Sequence, residues 1–161
     1  MPAQNHKVCA SENATSLHGI HLMKVDPTGL QPVNAEHHLY GKVVGLYFSA
    51  SWCYICHQTT RILKDFYEDI DQDNFEIVFV SRDKSPEDLA EYMEDAHGEW
   101  SFIPYGDEAI DELTEEYDVT RLPTLIIIKP SGEVITREGV EEIKKKVPTK
   151  LMSQWETTCA T

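Results

Sequence analysis

Two cysteines with two residues between them, Cys53 and Cys56, are the part of this 161-residue sequence best suited to chemistry. The apolar run over residues 43–48 comes just before them and predicts a strand that is buried on both faces. From Ile55 to Ile70 apolar residues recur every three or four positions, which predicts a helix packed on a sheet. The cysteines are therefore expected at a strand-to-helix turn, with Cys53 at or near the start of the helix.

This position favours thiol–disulfide chemistry. The unpaired N–H groups and the dipole of a helix's first turn stabilise an anion, so Cys53 is expected to be the more acidic thiol and the nucleophile. Cys56 lies one turn further along and can attack the mixed disulfide that Cys53 forms with a substrate. The pair can thus cycle between a dithiol and a disulfide.

Length and charge narrow the class of protein. A chain of this length can form one domain with a buried core. Its formal net charge of −14 argues against nucleic acid or an anionic membrane as a partner. No apolar stretch approaches the roughly 20 residues of a membrane span, and the first 25 residues lack the apolar core of a signal peptide. The expected protein is soluble and intracellular, where a close cysteine pair is more typical of catalysis or metal binding than of a disulfide framework.

The domain boundaries follow from the loss of apolar periodicity at both ends of the chain. Residues 1–15 are polar and are expected to form a mobile N-terminal tail. One domain is expected over residues 16–155, followed by a C-terminal tail over residues 156–161. Cys9 and Cys159 fall in these two tails.

Ten elements are predicted between the tails, in the order β, β, β, α, β, α, α, β, β, α. The expected strands cover residues 17–25, 30–33, 43–48, 75–80, 124–128 and 134–136. The expected helices cover residues 55–70, 85–98 with Ser85 as the N-cap, a segment within 107–118, and 139–147, where Pro148 limits or kinks the last one. A crossover helix between the third and fourth strands predicts that they pair in parallel. The order predicts an α/β sandwich with helices on both faces of a mixed sheet.

Three blocks of the sequence resemble the nucleoredoxin and tryparedoxin branch of the thioredoxin superfamily. They are Tyr47-Phe48-Ser49-Ala50-Ser51-Trp52-Cys53-x-x-Cys56, Phe102-Ile103-Pro104-Tyr105-Gly106-Asp107-Glu108 and Leu122-Pro123-Thr124-Leu125. The likeness covers about residues 17–145. It implies a thioredoxin-like three-layer α/β/α sandwich with a central mixed β-sheet and an N-terminal β-hairpin extension.

The resemblance also implies roles for individual residues. Cys53 corresponds to the attacking cysteine and Cys56 to the resolving one, and Trp52 flanks the reactive sulfur. Pro123 matches the cis-proline of this superfamily, whose bend lets the backbone of Leu122 pair with an extended substrate segment. The expected substrate-binding residues are therefore Trp52, Tyr54, Leu122 and Pro123, with Tyr54 at the surface.

Three positions depart from the pattern of the family. Nucleoredoxins and tryparedoxins usually carry Pro-Pro between the cysteines, whereas this chain has Tyr54-Ile55, so its redox potential is left open. His57 replaces the usual basic residue and makes the local charge depend on pH near neutrality. Tyr47 stands where thioredoxins bury a carboxylate that assists proton transfer to the resolving cysteine, which leaves the proton acceptor for Cys56 open.

The loop with Arg82 and Lys84 bears on the substrate. Tryparedoxins place tryptophan and acidic residues there against a polycationic dithiol, and two cations would repel such a substrate. The sequence therefore favours a nucleoredoxin-like oxidoreductase that reduces protein disulfides, with a separate thiol reductant to regenerate it. No cofactor or metal is expected. The expected protein is a monomer in the cytoplasm, and the nucleus stays open as a second location.

Other hypotheses use the same residues. A redox-sensitive regulator could keep the fold and bind partners through an exposed surface at Trp52 and Tyr54, with little turnover. The segment Cys53-Tyr54-Ile55-Cys56-His57 also matches the attachment signature of c-type haem, but that attachment requires export. A zinc site is disfavoured because the segment supplies three donors, and a tail cysteine would have to complete the tetrahedron.

Overall fold

A mixed β-sheet forms the centre of the protein in a computed structural model that describes Leu17 and residues 19–160. The predicted tail over residues 1–15 lies outside this range. The strands are β1 (Leu22–Asp26), β2 (Gly29–Val33), β3 (Val43–Ser49), β4 (Phe75–Ser81), β5 (Ser101–Phe102), β6 (Thr124–Ile128) and β7 (Val134–Thr136). The helices are α1 (Ala35–His38), α2 (Tyr54–Asp69), α3 (Pro86–Asp95), α4 (Ala109–Glu116), α5 (Gly139–Lys145) and α6 (Pro148–Ala160).

The strands lie in the order β2-β1-β5-β4-β3-β6-β7, so β3 is central. It pairs in parallel with β4 and antiparallel with β6. The expected parallel pairing through the crossover helix is therefore confirmed, and so is the N-terminal hairpin, in which β1 and β2 pair antiparallel. The predicted α/β class with a mixed sheet flanked by helices is confirmed as well.

The continuous apolar run of β3 reflects burial on both sides of the sheet. Val43 and Tyr47 face the core formed with α2, α3, α5 and α6. Val44, Leu46 and Phe48 face the opposite core, which contains residues of α1 and α4. This alternation is the two-residue period of a strand. The turn with the two cysteines follows the carboxyl end of β3.

The C-terminal segment differs from the expectation. Pro148 begins a new helix, α6, because a proline at the first position of a helix lacks only an N–H group that would be unpaired there anyway. Residues 156–160, which the pattern assigned to a tail, continue this helix. Trp155 is buried on it, with its ring 5.7 Å from that of Phe75. Cys159 is also buried, and it is disulfide-bonded.

Short elements also differ from the expectation. The first strand begins at Leu22 rather than at residue 17, and Leu17 is buried in the core beside α1 and α4. The four-residue helix α1 and the two-residue strand β5 were not predicted, because neither is long enough to show a period. No helix in the described part of the chain has both the length and the apolarity needed to cross a membrane.

Candidate active site

The cysteine pair lies where β3 leads into α2. Cys53 is the N-cap of α2 and has an extended backbone, with φ of −90° and ψ of 109°. Its sulfur accepts a hydrogen bond from the backbone N–H of Cys56 at 3.3 Å. Both cysteines are free thiols, and Cys53 is partly exposed. The Cys53 sulfur thus lies at the positive end of a helix and can be reached by another molecule.

Cys56 lies one turn further along and is fully buried. Its thiol has a pKa raised to about 12, first by burial and then by the hydrogen bond and the charge of Cys53. Hydrogen-bonding groups of Ser49 and of the Ala50 backbone act in the opposite direction and lower that pKa. The two sulfurs therefore differ in access and in environment.

Asp83 holds the loop that precedes Cys53. Its Oδ1 accepts hydrogen bonds from the backbone N–H and from the hydroxyl of Ser51, both at 2.6 Å. Its Oδ2 accepts a bond from the hydroxyl of Ser81 at 2.8 Å, at the end of β4. The carboxylate of Asp83 therefore joins the reactive loop to the neighbouring parallel strand.

His57 contacts the same loop from the helix side. Its Nε2 lies 2.6 Å from the carbonyl oxygen of Ser51, and because a carbonyl only accepts, Nε2 carries the hydrogen. Its ring also lies 5.2 Å from the ring of Tyr92. The N–H, hydroxyl and carbonyl of Ser51 are thus all engaged, and His57 positions the loop through hydrogen bonding.

Trp52 lies on the surface beside Cys53. Its indole N–H donates to the carbonyl oxygen of Arg82 at 2.9 Å, and the Nζ of Lys84 lies 5.2 Å from the centre of its ring. The side chain of Arg82 points elsewhere and pairs with Asp111 at 2.9 Å. Arg82 therefore positions Trp52 through its backbone, while Lys84 brings the positive charge to the ring.

Three exposed side chains lie next to Cys53 in the chain, and we call them the apolar rim. It consists of Trp52, Tyr54 and Ile55, which are 54%, 91% and 64% exposed. Ile55 also lines an open groove of about 550 Å³ that contains Leu122 and Pro123. The peptide bond between these last two residues is cis, as the resemblance implied. The structure places Ile55, Leu122 and Pro123 along one groove, whereas Trp52 lies toward the loop that follows β4.

The groove also carries charges of both signs. The basic side chains along it are Arg121, Arg137 and Lys144, and the acidic ones are Asp118, Glu138 and Glu141. In the described residues, no group of three or more histidine, cysteine or acidic side chains is arranged to hold a metal ion.

A chain of hydroxyl groups lies behind Cys56, and we call it the hydroxyl cluster. It comprises Tyr47, Thr60, Tyr92 and Ser49. The hydroxyl oxygens of Tyr47 and Thr60 are 2.7 Å apart, those of Thr60 and Tyr92 are 2.8 Å apart, and those of Tyr92 and Ser49 are 2.8 Å apart. Burial raises the pKa of both tyrosines above its ordinary value, so both stay protonated. Tyr47 therefore cannot take the proton of Cys56 as a carboxylate would.

Sequence reasoning did not single out Ser49, Thr60, Tyr92 or Asp83. Tyr92 also contributes to the buried face of α3. The available signals were hydroxyl groups at positions where the pattern calls for apolar side chains, and an acidic residue at the end of a strand next to β3. Neither signal indicates which other residue each group contacts.

A buried histidine, His97, packs against the hydroxyl cluster. Its Nδ1 accepts a hydrogen bond from the indole N–H of Trp100 at 2.9 Å. Its Nε2 has no hydrogen-bond partner within the described residues. The rings of Phe79 and Tyr92 each lie 4.3 Å from its own ring. Burial lowers the pKa of His97 to about 3, and the nearby His57 contributes to the shift.

We expect His97 to make the protein less stable in mild acid. Between its folded pKa of about 3 and its ordinary value of 6.5, only the unfolded chain binds the proton, so stability falls as the pH falls. The slope from this one group is about 1.4 kcal/mol per pH unit. Urea unfolding of the His97→Gln variant should show a flatter dependence between pH 6.5 and about 5 than the wild type.

The exposed His37 offers a control for this measurement. The His37→Gln variant should keep the wild-type slope of unfolding free energy against pH. Equal slopes for His97→Gln and the wild type would contradict the assignment of His97 as a histidine that stays neutral in the fold.

The fold and the site together define a class of protein. A free Cys-x-x-Cys pair at the start of a helix, next to a groove with a cis-proline, on a central mixed sheet, is the arrangement of a thioredoxin-like protein. The sequence model of the family described as Thioredoxin-like matches residues 41–134.

Individual relatives narrow the class. Human nucleoredoxin is 44% identical over 108 residues, which are 65% of this chain and 24% of the relative. The crystal structure of thioredoxin from Wuchereria bancrofti has a TM-score of 0.76 and 44% identity, and the match covers 88% of this chain and 96% of that one. Tryparedoxin II from C. fasciculata has a TM-score of 0.69 and 32% identity, and the match covers 80% of this chain and 87% of that one.

The chain belongs to the thioredoxin-like family, in its nucleoredoxin and tryparedoxin branch. It spans about a quarter of the length of the curated nucleoredoxins that it matches.

Proposed function

We propose that the chain is a thiol–disulfide oxidoreductase that reduces protein disulfides. The observation that carries the proposal is the inequality of its two sulfurs. Cys53 is partly exposed and its sulfur accepts a backbone hydrogen bond at a helix start, whereas Cys56 is buried and has a pKa of about 12. The Cys53 sulfur is therefore suited to attack a client disulfide, whereas the Cys56 sulfur can attack only the disulfide that Cys53 has formed.

The reaction proceeds in two exchanges. The Cys53 thiolate attacks one sulfur of the client disulfide, so that a Cys53–client disulfide forms and the other client sulfur leaves as a thiolate. The Cys56 sulfur then attacks Cys53, the Cys53–Cys56 disulfide forms, and the second client sulfur leaves. The client gains two electrons and two protons, and the protein loses them. A separate thiol reductant restores the dithiol.

The surroundings of Cys56 set the order of these steps. In the dithiol form, the charge and the hydrogen bond of Cys53 help to keep the Cys56 proton in place. Both influences are lost once Cys53 carries a client, because its sulfur is then neutral and bonded. Cys56 is therefore easier to ionise after the first exchange than before it.

The apolar rim and the groove suit a protein client rather than a small polycation. Trp52 and Tyr54 offer apolar surface next to Cys53, and the backbone at Leu122 and Pro123 lies along the groove. Lys84 keeps a positive charge at the rim, which repels cationic substrates. A structural relative, tryparedoxin II, has been solved in complex with glutathionylspermidine. For this chain we propose neutral or acidic protein segments instead.

The proposal extends to the setting of the reaction. The chain acts as a monomer, in the cytoplasm and also in the nucleus, without nucleic acid or membrane as a partner. Its partners are client proteins that carry a disulfide and an upstream thiol reductant. The net charge of −14 and the nucleoredoxin relatives support this setting.

The test is to stop the reaction after its first exchange. A Cys56→Ser variant should form a mixed disulfide with insulin that is visible on a non-reducing gel and is released by dithiothreitol, because no internal thiol can displace the client. A variant that lacks both Cys53 and Cys56 is the control and should form no adduct. Failure of Cys56→Ser to form the adduct would refute the proposed chemistry.

A second candidate function is a redox-sensitive binding module with little turnover. The observation in its favour is the exposure of Tyr54, at 91%, between the two cysteines. If this function holds, the variant without Cys53 and Cys56 should still retain a partner in a pull-down, whereas a Tyr54→Ala variant should lose it. Loss of the partner from the cysteine-free variant alone would favour the oxidoreductase.

A further inference from the structure

A second groove lies between α2 and α3, and we call it the α2–α3 groove. Its volume of about 600 Å³ falls within the range of small-molecule sites. It shares no lining residue with the groove that contains the cis-proline, and it lies on the opposite face of α2. The polar and charged residues along it are Ser51, His57, Arg61, Lys64, Glu91 and Asp95.

The two walls of the α2–α3 groove carry opposite charges. The α2 wall holds the cations Arg61 and Lys64, and the α3 wall holds the carboxylates Glu91 and Asp95. Within the part of the chain that the structure describes, no ion pair joins any of these four side chains to another side chain. The groove therefore offers two cations and two anions to a ligand that carries charges of both signs.

One end of the α2–α3 groove adjoins the reactive loop. Ser51 lies two positions before Cys53, and its carbonyl oxygen accepts a hydrogen bond from the Nε2 of His57 at 2.6 Å. At the other end, the Cγ of Lys64 lies 3.5 Å from the position that a Cβ would take on Gly98, so the lysine stem packs beside this glycine. Positions 57 and 64 of a helix are about 10 Å apart, which is also the span of an extended tripeptide.

We propose that the α2–α3 groove binds glutathione, and that glutathione is the thiol that reduces the Cys53–Cys56 disulfide. This inference rests on the proposed function, which requires a separate thiol reductant. Glutathione is a peptide thiol of three residues with two carboxylates and one ammonium group. The cations of the α2 wall match the two carboxylates, and the carboxylates of the α3 wall match the ammonium group.

The charges inside the groove are needed because the chain as a whole repels such a ligand. The formal net charge of the protein is −14, and glutathione is a net anion. At physiological ionic strength, charges further away than about 8 Å are largely screened. A bound glutathione therefore responds mainly to Arg61 and Lys64 on one side and to Glu91 and Asp95 on the other. Each of these partly exposed contacts is weak by itself, so the binding depends on several together.

The reduction takes two exchanges and two molecules of glutathione. The thiolate of the first attacks the Cys53 sulfur, the Cys53–Cys56 bond breaks, and Cys56 leaves as a thiolate that takes up a proton. The second attacks the glutathione sulfur of this mixed disulfide, so that glutathione disulfide forms and Cys53 leaves as a thiolate. The protein gains two electrons and two protons, and the two glutathione molecules lose them.

The test compares two reductants on the same oxidised protein. Glutathione carries the charges that the groove matches, whereas dithiothreitol is an uncharged thiol. Cys53 and Cys56 are alkylated with iodoacetamide at timed intervals and counted by mass spectrometry, which gives the rate with each reductant. Arg61→Glu and Lys64→Glu should each lower the ratio of the glutathione rate to the dithiothreitol rate about fivefold or more, because an attraction becomes a repulsion. Added salt should narrow this difference.

A remote charge reversal is the matched control. Lys150→Glu makes the same change of charge on α6, outside the groove, and should keep the wild-type ratio. Binding is measured separately by calorimetry with S-methylglutathione, which has the same charges but no free thiol, and Arg61→Glu should weaken it by a similar factor. An unchanged rate ratio or unchanged binding in Arg61→Glu overturns the inference. The insulin adduct of Cys56→Ser involves no glutathione, so its failure would instead count against the proposed function.

Discussion

Replacing Cys53 by serine is expected to lower the rate of insulin reduction by dithiothreitol to the rate without any protein. Cys53 is the accessible sulfur at the start of α2, and a serine hydroxyl at that position stays protonated and is a far weaker nucleophile toward a disulfide. Cys56 cannot take over, because it is fully buried and has a pKa of about 12. The measurement is the turbidity that develops as reduced insulin chains precipitate.

The Cys56→Ser variant is the matched control in this assay. It keeps the attacking sulfur, so dithiothreitol can release the trapped client from outside, and part of the activity should remain. Full insulin reduction by the Cys53→Ser variant would contradict the proposed mechanism. Equal loss in both variants would show instead that the internal release step is indispensable even when dithiothreitol is present.

Among residues that do not contact the two cysteine sulfurs, we expect the replacement of Asp83 by alanine to lower the unfolding free energy most. The change leaves the N–H and hydroxyl of Ser51 and the hydroxyl of Ser81 without their acceptor. Groups of this kind cost about 1–3 kcal/mol each when they stay buried and unpaired, and water can reach part of this site, so we expect a loss of about 3 kcal/mol in unfolding free energy. The reaction of Cys53 with dithiobis(nitrobenzoate) should also slow, because its loop is no longer held to β4.

Asp26 provides the comparison for Asp83. Its Oδ1 likewise accepts from a backbone N–H and a hydroxyl, both of Thr28, but in an exposed turn between β1 and β2. Asp26→Ala should therefore change stability much less and leave the reaction of Cys53 as it is. Urea unfolding and the rate at which Cys53 reacts with dithiobis(nitrobenzoate) measure the two effects. Equal losses of unfolding free energy and equal Cys53 reaction rates in the two variants would contradict the role assigned to Asp83.

Local patterns in the sequence were sufficient for the centre of the site. The apolar run of β3 and the three- and four-residue spacing in α2 predicted the strand-to-helix turn, and the structure places Cys53 at the N-cap of that helix. Such patterns work because burial on a sheet and burial along a helix each impose a fixed period on neighbouring residues. The resemblance added Pro123, whose cis bond the structure contains.

Local patterns were insufficient at the C-terminus. The helix before Pro148 ends at Lys145, within the expected limit, but the pattern does not predict that Pro148 begins α6, which places Trp155 against Phe75. A proline can end one helix or begin the next, and its own neighbourhood in the chain does not decide between these roles. The decision comes from the apolar surface of the sheet, which the side chains of α6 cover.

By itself, the sequence determined which residues are suited to the proposed chemistry: a pair of thiols on one turn, with the first at a helix start. Only the tertiary structure decided what surrounds them. Asp83 reaches Ser51 across 32 positions, and Tyr92 reaches Ser49 across 43. A side chain's period along a strand or helix specifies the layer into which it points, but its hydrogen-bond partner depends on how separate elements pack, and no local spacing encodes that.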